Sequence, residues 1–362
     1  MKVLLLTVTA GQGHNQTARA IKDCLNERKI ECNLLDMLEF IHPILAESLD
    51  KGYLMSTKYF PKAYGIIYAV FEGREQDTKD NALAKVFKRK FVKYLESTKP
   101  DVVVCTHVYA ARLMSYLAPK LSYPVKTVGI VTDFTVHPFW EDTSIDYYIT
   151  AGELLSNQAA KKGIPAEKII PTGIPIHPKF AHKTPMAEAR QKLNLPGKRT
   201  VLVMSGSMGY GKVASVIKEL DKSELDFQIV SICGSNKRLK RSVDKLELRK
   251  TVINMGFTDN VDLYMDAADC IVTKPGGLTT SEALAKGLPI IMLKPIPGHE
   301  DRNAEFLLNN GAAMKLTKTF PADDAIYQLF SNKIRQATLS ATVEALGKPN
   351  SAADFCEFIS KL

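Results

Sequence analysis

One design occurs twice in this 362-residue chain, and it leaves few folds open. Near the start, KVLLLTVTAGQGHNQTARAIKDCL passes from a short apolar run through a glycine-rich turn into an amphipathic pattern. In the second half, RTVLVMSGSMGYGKVASVIKEL does the same. A strand that turns through glycines into a helix opens a nucleotide-binding type of α/β unit. Two copies predict two Rossmann-like domains. Further strand-like runs fit this: 3–9, 101–106, 125–132, 147–150 and 168–171, then 200–204, 227–232, 251–254, 270–273 and 290–293. They are short and continuously apolar, as parallel strands covered on both faces are. The expected fold is therefore α/β, with two doubly wound domains facing a central cleft. Ligands in this class lie beyond the carboxyl ends of the strands.

The stretch PIHPKFAHKTPMAEARQKLNLPGK is polar and rich in proline, which predicts a linker over 176–198. It separates a first domain, 1–175, from a second, 199–335. A helical segment, 336–362, closes the chain.

Some classes of function drop out. No apolar run has the length to span a bilayer. The run at 3–8 is too short for that, and Gly-Gln-Gly-His follows it rather than a small-residue cleavage site, so a cytosolic protein is expected. The six cysteines are scattered without a Cys-x-x-Cys pair, which argues against a zinc knuckle or a redox pair. A net charge of +9 suits nucleic acid, a phosphorylated ligand or an anionic membrane surface. Two segments bear on that choice. Tyrosines, including Tyr64, and phenylalanines crowd among lysines in 51–73. In 81–99, Leu83, Phe87 and Phe91 recur at helical spacing opposite Lys85, Lys88, Arg89, Lys90 and Lys93. A basic amphipathic helix beside an aromatic run suits a membrane interface. By itself the helix reads equally as a core-facing stripe with a solvated lysine face. No RNA- or DNA-binding motif accompanies the basic residues, so nucleic acid is not an expected partner.

Three glycine loops carry the chemistry. GSMGYGKV (206–213) nearly spells a P-loop, but Val213 stands where a hydroxyl must ligate magnesium, so a kinase or ATPase reading fails there. AGQGHNQTA (10–18) begins like a dinucleotide fingerprint, with Gly11 and Gly13 in place, yet Gln16 occupies the third glycine position. Its His14 needs another account. An imidazole held at the carboxyl edge of a sheet is a natural general base, because it titrates near neutrality. The bland alternative is a hydrogen-bonded structural histidine. In CIVTKPGGLTTSEALAKGLPIIML (270–293) a strand ends, Gly276 and Gly277 turn the chain, and a helix starts. Its unpaired amides and dipole suit a pyrophosphate. Glu282 is placed to accept from ribose hydroxyls, or else to close a capping box with Thr279. The next loop, KPIPGHEDRNAEFL, offers His299, Glu300, Asp301 and Asn303 to a polyhydroxylated ligand. There is no Asp-x-Asp and no metal-ligand spacing, so neither metal nor cofactor is expected. A departing diphosphate would then be neutralised by backbone dipoles.

These motifs resemble a known family. TAGQGHNQTARA, GIVTDFTVHPFW, TGIPIHPKF and the long block INMGFTDNVDLYMDAADCIVTKPGGLTTSEALAKGLPIIMLKPIPGHEDRNA look like signatures of a GT-B glycosyltransferase group. That group holds the monogalactosyldiacylglycerol synthases and the processive diacylglycerol glucosyltransferases, with the lipid II GlcNAc transferase more distant. The resemblance implies a UDP-hexose donor, a diacylglycerol acceptor, inversion at the anomeric carbon and a peripheral seat on the inner, anionic face of the cell membrane. It implies His14 as the base. It places Phe257 and Thr258 on uracil, Glu282 on ribose, Gly276, Gly277 and Thr279 on the diphosphate, and Ser207 among the donor-binding residues. Glu300 and Asn303 fall to the hexose. Gly11, Gly13, Tyr64, Phe87, Lys88, Arg89 and Phe91 fall to the acceptor and membrane side. His299 stands where many relatives carry glutamine, which leaves glucose and galactose both open. A polyprenyl-linked acceptor and a non-catalytic nucleotide-sugar sensor are the alternative functions.

Overall fold

In the computed structural model the described residues are 1–8, 12–41, 82–206, 209, 212–295 and 299–362. The chain divides into two compact units. One comprises Met1–His177 with Asn350–Leu362, the other Pro178–Pro349.

The first unit runs β1 (Lys2–Thr7), α1 (Gln12–Glu27), β2 (Glu31–Asp36), α2 (Met37–Ile41), α3 (Ala82–Thr98), β3 (Val102–Cys105), α4 (Val108–Leu117), β4 (Lys126–Ile130), β5 (Tyr147–Ile149), α5 (Ser156–Lys161) and β6 (Ile169–Ile170). All six strands are parallel, in the order β2-β1-β3-β4-β5-β6. Leu5, Val104 and Val128 are fully buried on neighbouring strands, as the apolar runs required.

The second unit runs α6 (Met186–Lys192), β7 (Thr200–Met204), α7 (Val213–Asp221), β8 (Gln228–Ile232), α8 (Lys237–Asp244), β9 (Val252–Met255), α9 (Val261–Ala267), β10 (Cys270–Thr273), α10 (Gly277–Lys286), β11 (Ile290–Met292), α11 (His299–Asn309), β12 (Ala313–Lys315), α12 (Ala322–Ser331) and α13 (Lys333–Leu346). Its parallel sheet has the order β12-β11-β10-β7-β8-β9. The last helix, α14 (Ser351–Ser360), belongs to the first unit.

Three expectations need correction. The stretch 176–198 is not a spacer. Most of it is packed structure of the second unit: Phe180 is buried, and Arg190 reaches Asp269 at 2.7 Å and the Ala267 carbonyl at 3.0 Å. The segment 336–362 is not one piece either. α13 stays in the second unit, whereas α14 buries Phe355, Cys356 and Ile359 in a cluster with Ala18, Ile21 and Leu25 of α1.

The third correction concerns α3. Phe87 and Phe91 are 5% and 0% exposed, and their ring centroids lie 5.9 and 5.7 Å from that of Phe40. The apolar stripe faces the core, so these two rings are not a lipid-facing surface. Lys88 is buried with them, its ammonium 4.5 Å from the centre of the Tyr116 ring. Arg89, Lys90 and Lys93 carry the exposed positive face. Tyr64 and the aromatic stretch 51–73 lie outside the described residues. Among the described residues, no helix is long and apolar enough to cross a membrane.

Candidate active site

In the first unit the chain adds β2 on one side of β1 and β3 on the other. The carboxyl ends of β1 and β3 therefore flank a topological switch point, where ligands of open α/β sheets bind. His14 stands there, in the first turn of α1, and its ring is tied to the neighbouring strand ends. Nδ1 lies 2.7 Å from the carbonyl oxygen of Thr106, just past β3. Thr132 Oγ1, just past β4, is 3.2 Å from the same nitrogen. A carbonyl only accepts, so Nδ1 is the donor. The lone pair of the neutral ring is then on Nε2, the tautomer a general base needs. Thr7 Oγ1 donates to Asn15 Oδ1 at 2.7 Å, which joins the end of β1 to the same turn of α1. A Cβ on Gly13 would meet no atom within 4 Å. Gly11 lies outside the described residues.

A second imidazole at this edge escaped the sequence reading. His107 follows β3 by two residues and is the N-cap of α4, its Nδ1 accepting from the Tyr109 amide at 3.1 Å. Its ring meets that of His14 with centroids 4.6 Å apart and planes at 68°. Burial, then the nearby His14 and His137 rings, hold His107 well below the ordinary histidine range, so it is neutral. The signal was present in DVVVCTH. A histidine just beyond an apolar strand occupies the position that made His14 conspicuous.

In the second unit the switch point falls between β7 and β10. Beyond β10 come Lys274, Pro275 and Gly276, and Gly276 is the N-cap of α10 without a side-chain cap. The first-turn amides of α10 have no intrahelical acceptors, and the helix dipole adds to their pull on an anion. Gly276 has φ −77° and ψ 143°, open to any residue, and a Cβ there would meet nothing within 4 Å. Neither conformation nor packing demands glycine. What glycine provides is close access to the backbone. Thr279 sits in the same first turn.

The capping-box account of Glu282 fails, because the N-cap is Gly276 and not Thr279. Glu282 is half-buried, and burial pushes its carboxyl up to about 8; Lys179 opposes the rise and Asp262 adds to it. Lys179, from the TGIPIHPKF signature, also pairs with Asp262 at 3.4 Å. Phe257, past β9, is 64% exposed, an unusual place for a phenyl ring. Next to it, Thr258 Oγ1 accepts from the Asn260 amide at 3.2 Å. Ser207 lies outside the described residues.

Glu300 and Asn303, which the resemblance places on the hexose, bond to the residues just before Gly276. They are 4% and 0% exposed, three residues apart on α11. Lys274 Nζ donates to Glu300 Oε1 at 3.1 Å, and Asn303 Nδ2 donates to the Pro275 carbonyl at 3.0 Å. Both side chains brace the glycine loop from behind. Lys274 is a further residue that the sequence reading passed over.

Comparison with known proteins shows the family and the fold. Residues 14–176 match the family model described as monogalactosyldiacylglycerol (MGDG) synthase, and 200–353 match the glycosyltransferase family 28 C-terminal domain. A processive diacylglycerol beta-glucosyltransferase of Bacillus mycoides is 30% identical over 371 residues, covering 99% of this chain and 93% of that one. Among solved structures, MurG of Acinetobacter baumannii superimposes with a TM-score of 0.64 at 16% identity, covering all of both chains. Anabaena HepE in complex with UDP does so with a TM-score of 0.59 at 14% identity, again over all of both. The fold is GT-B.

Proposed function

The chain belongs to the family of the processive diacylglycerol beta-glucosyltransferases, and from that premise we propose that it transfers a hexose from a UDP-sugar to the free hydroxyl of diacylglycerol at an anionic membrane surface. In UDP-glucose and UDP-galactose the hexose is α-linked, so a β-glycoside product requires inversion. His14 Nε2 takes the proton of the acceptor hydroxyl as its oxygen attacks C1 from the face opposite UDP. The C1–O bond to UDP breaks, and the first-turn amides of α10 take up the charge on the departing diphosphate. The chain carries no Asp-x-Asp motif, and the reading assigns to these amides the work of a metal ion. Phe257 stacks on uracil and Glu282 accepts from ribose.

One observation supports this reading above the rest. The chain pairs a tautomer-fixed imidazole at the switch point of its first sheet with a glycine-lipped helix N-terminus at that of its second. The test is a product assay with liposomes of anionic phospholipid, with and without diacylglycerol, each offered UDP-glucose or UDP-galactose. Mass and linkage analysis should find a β-hexosyl diacylglycerol and count its sugars. Transfer only to a polyprenyl-linked acceptor, or UDP-sugar binding with no UDP release under any acceptor, would defeat it.

A further inference from the structure

Three imidazoles of the first unit, His14, His107 and His137, come from separate stretches of chain, and each has an Nδ1 contact with a backbone group. His14 donates from Nδ1 to Thr106 O, whereas His107 and His137 accept at Nδ1 from the amides of Tyr109 and Phe139, each at 3.1 Å. Neutral His107 therefore carries its hydrogen on Nε2. The contacts to Thr106 O and Thr132 Oγ1 both hold His14 at Nδ1, one corner of its ring. The edge-to-face packing of His107, with centroids 4.6 Å apart, supplies the second constraint. His107 is itself held, because turning its ring away would strip the Tyr109 amide of its acceptor at the start of α4.

We propose that His107 is a positioning residue for His14, aiming Nε2 at the acceptor hydroxyl by packing its ring against that of the base. The proposal rests on the reading of His14 as base. It also explains why an imidazole caps α4 where Ser, Asp or Asn would cap as well or better. A neutral neighbour adds no charge beside a base that must itself become cationic.

Two substitutions separate this role from the capping role. His107→Asn keeps a cap for the Tyr109 amide but removes the ring. His107→Phe keeps a ring against His14 but loses the cap. If the ring positions His14, kcat falls about tenfold or more in His107→Asn while KM for UDP-hexose and Tm hold. His107→Phe, though less stable, retains more kcat than His107→Asn. Wild-type kcat in His107→Asn, or a ranking of kcat that follows Tm, overturns the proposal. The ring ¹⁵N shifts of His14 provide a readout that needs no turnover. They should report the Nδ1–H tautomer set by Thr106 in all three proteins, with the His14 ring lines broadened by rocking in His107→Asn but not in His107→Phe. An unchanged His14 spectrum in His107→Asn also overturns it. If the spectra change as expected but no hexose transfer occurs in the wild type, the positioning stands and the proposed function falls.

Discussion

His14, in the first turn of α1, donates its Nδ1 hydrogen to the carbonyl oxygen of Thr106, just past β3, at 2.7 Å. A backbone carbonyl cannot change protonation or rotate away, so it orients the base with less freedom than a side chain would. His14→Ala should lower kcat by about a hundredfold or more, the usual contribution of a placed base. UDP affinity, which the proposed function assigns to the other unit, should stay within about twofold. Stopped turnover assays together with calorimetric UDP titration check this; a parallel loss of UDP binding would make His14 structural.

Glu282 predicts a pH dependence of donor binding. Its carboxyl sits near 8, chiefly because of burial, so at pH 7 only about one-tenth is ionised and at pH 9 about nine-tenths. In the proposed donor contact, ribose hydroxyls donate to the ionised form. UDP affinity should therefore rise by up to about ninefold from pH 7 to pH 9 in the wild type and stay flat in Glu282→Gln. Stability should move the other way. The unfolded chain loses this proton near 4.5, before the folded chain does near 8, so folding grows weaker as pH rises through that window. Glu282→Gln, which has no proton to lose, should match the wild-type Tm at pH 4 and exceed it at pH 9. Equal Tm differences at both values would refute the assignment.

Gly276 should be a functional glycine rather than a folding one. Its φ of −77° suits alanine and a Cβ would touch nothing, so Gly276→Ala should leave Tm within about 2 °C of the wild type. The lower chain entropy of the unfolded alanine variant and its poorer N-capping are small and opposed. The added methyl sits at the N-cap of α10, where an anion bound to its first-turn amides would approach. UDP should bind about tenfold or more weakly, read by calorimetry on the full chain.

The glycine loops were legible in the sequence because a strand, a tight turn and a helix leave a strong local pattern, and it located His14, Gly276 and Gly277 at sheet edges. What the pattern could not reveal was which way side chains face. Glu300 and Asn303 were read as ligand contacts because polar groups crowd that loop, and their bonds to Lys274 and the Pro275 carbonyl were not legible there. His107 was passed over because one histidine between a strand and a helix carries no spacing of its own. The strand β12 was missed for a similar reason. Three residues, Ala313–Lys315, are too few to show a period, and only the edge of β11 makes them a strand. α14 returned to the first unit although nothing local in its sequence chose between the two cores.

α3 offers the clearest separation of stability from membrane attachment. Its sequence fits both a lipid-facing aromatic stripe and a core stripe, and Phe91 at 0% exposure decides for the core. Phe91→Ala removes a buried ring that stacks near Phe40 and Phe87, at a cost of about 3–5 kcal/mol. Thermal melts should show that loss directly. Sedimentation with anionic vesicles, measured on the fraction still folded, should show no change. Arg89 and Lys93 lie on the exposed side of the same helix and should behave oppositely. The double variant Arg89→Gln/Lys93→Gln leaves the core untouched, so its Tm should hold. Each cation near an anionic surface is worth about 1 kcal/mol, so vesicle association should fall by about an order of magnitude or more and should depend less on salt. Loss of vesicle binding in folded Phe91→Ala, with no loss in the double variant, would return the aromatic stripe to the lipid.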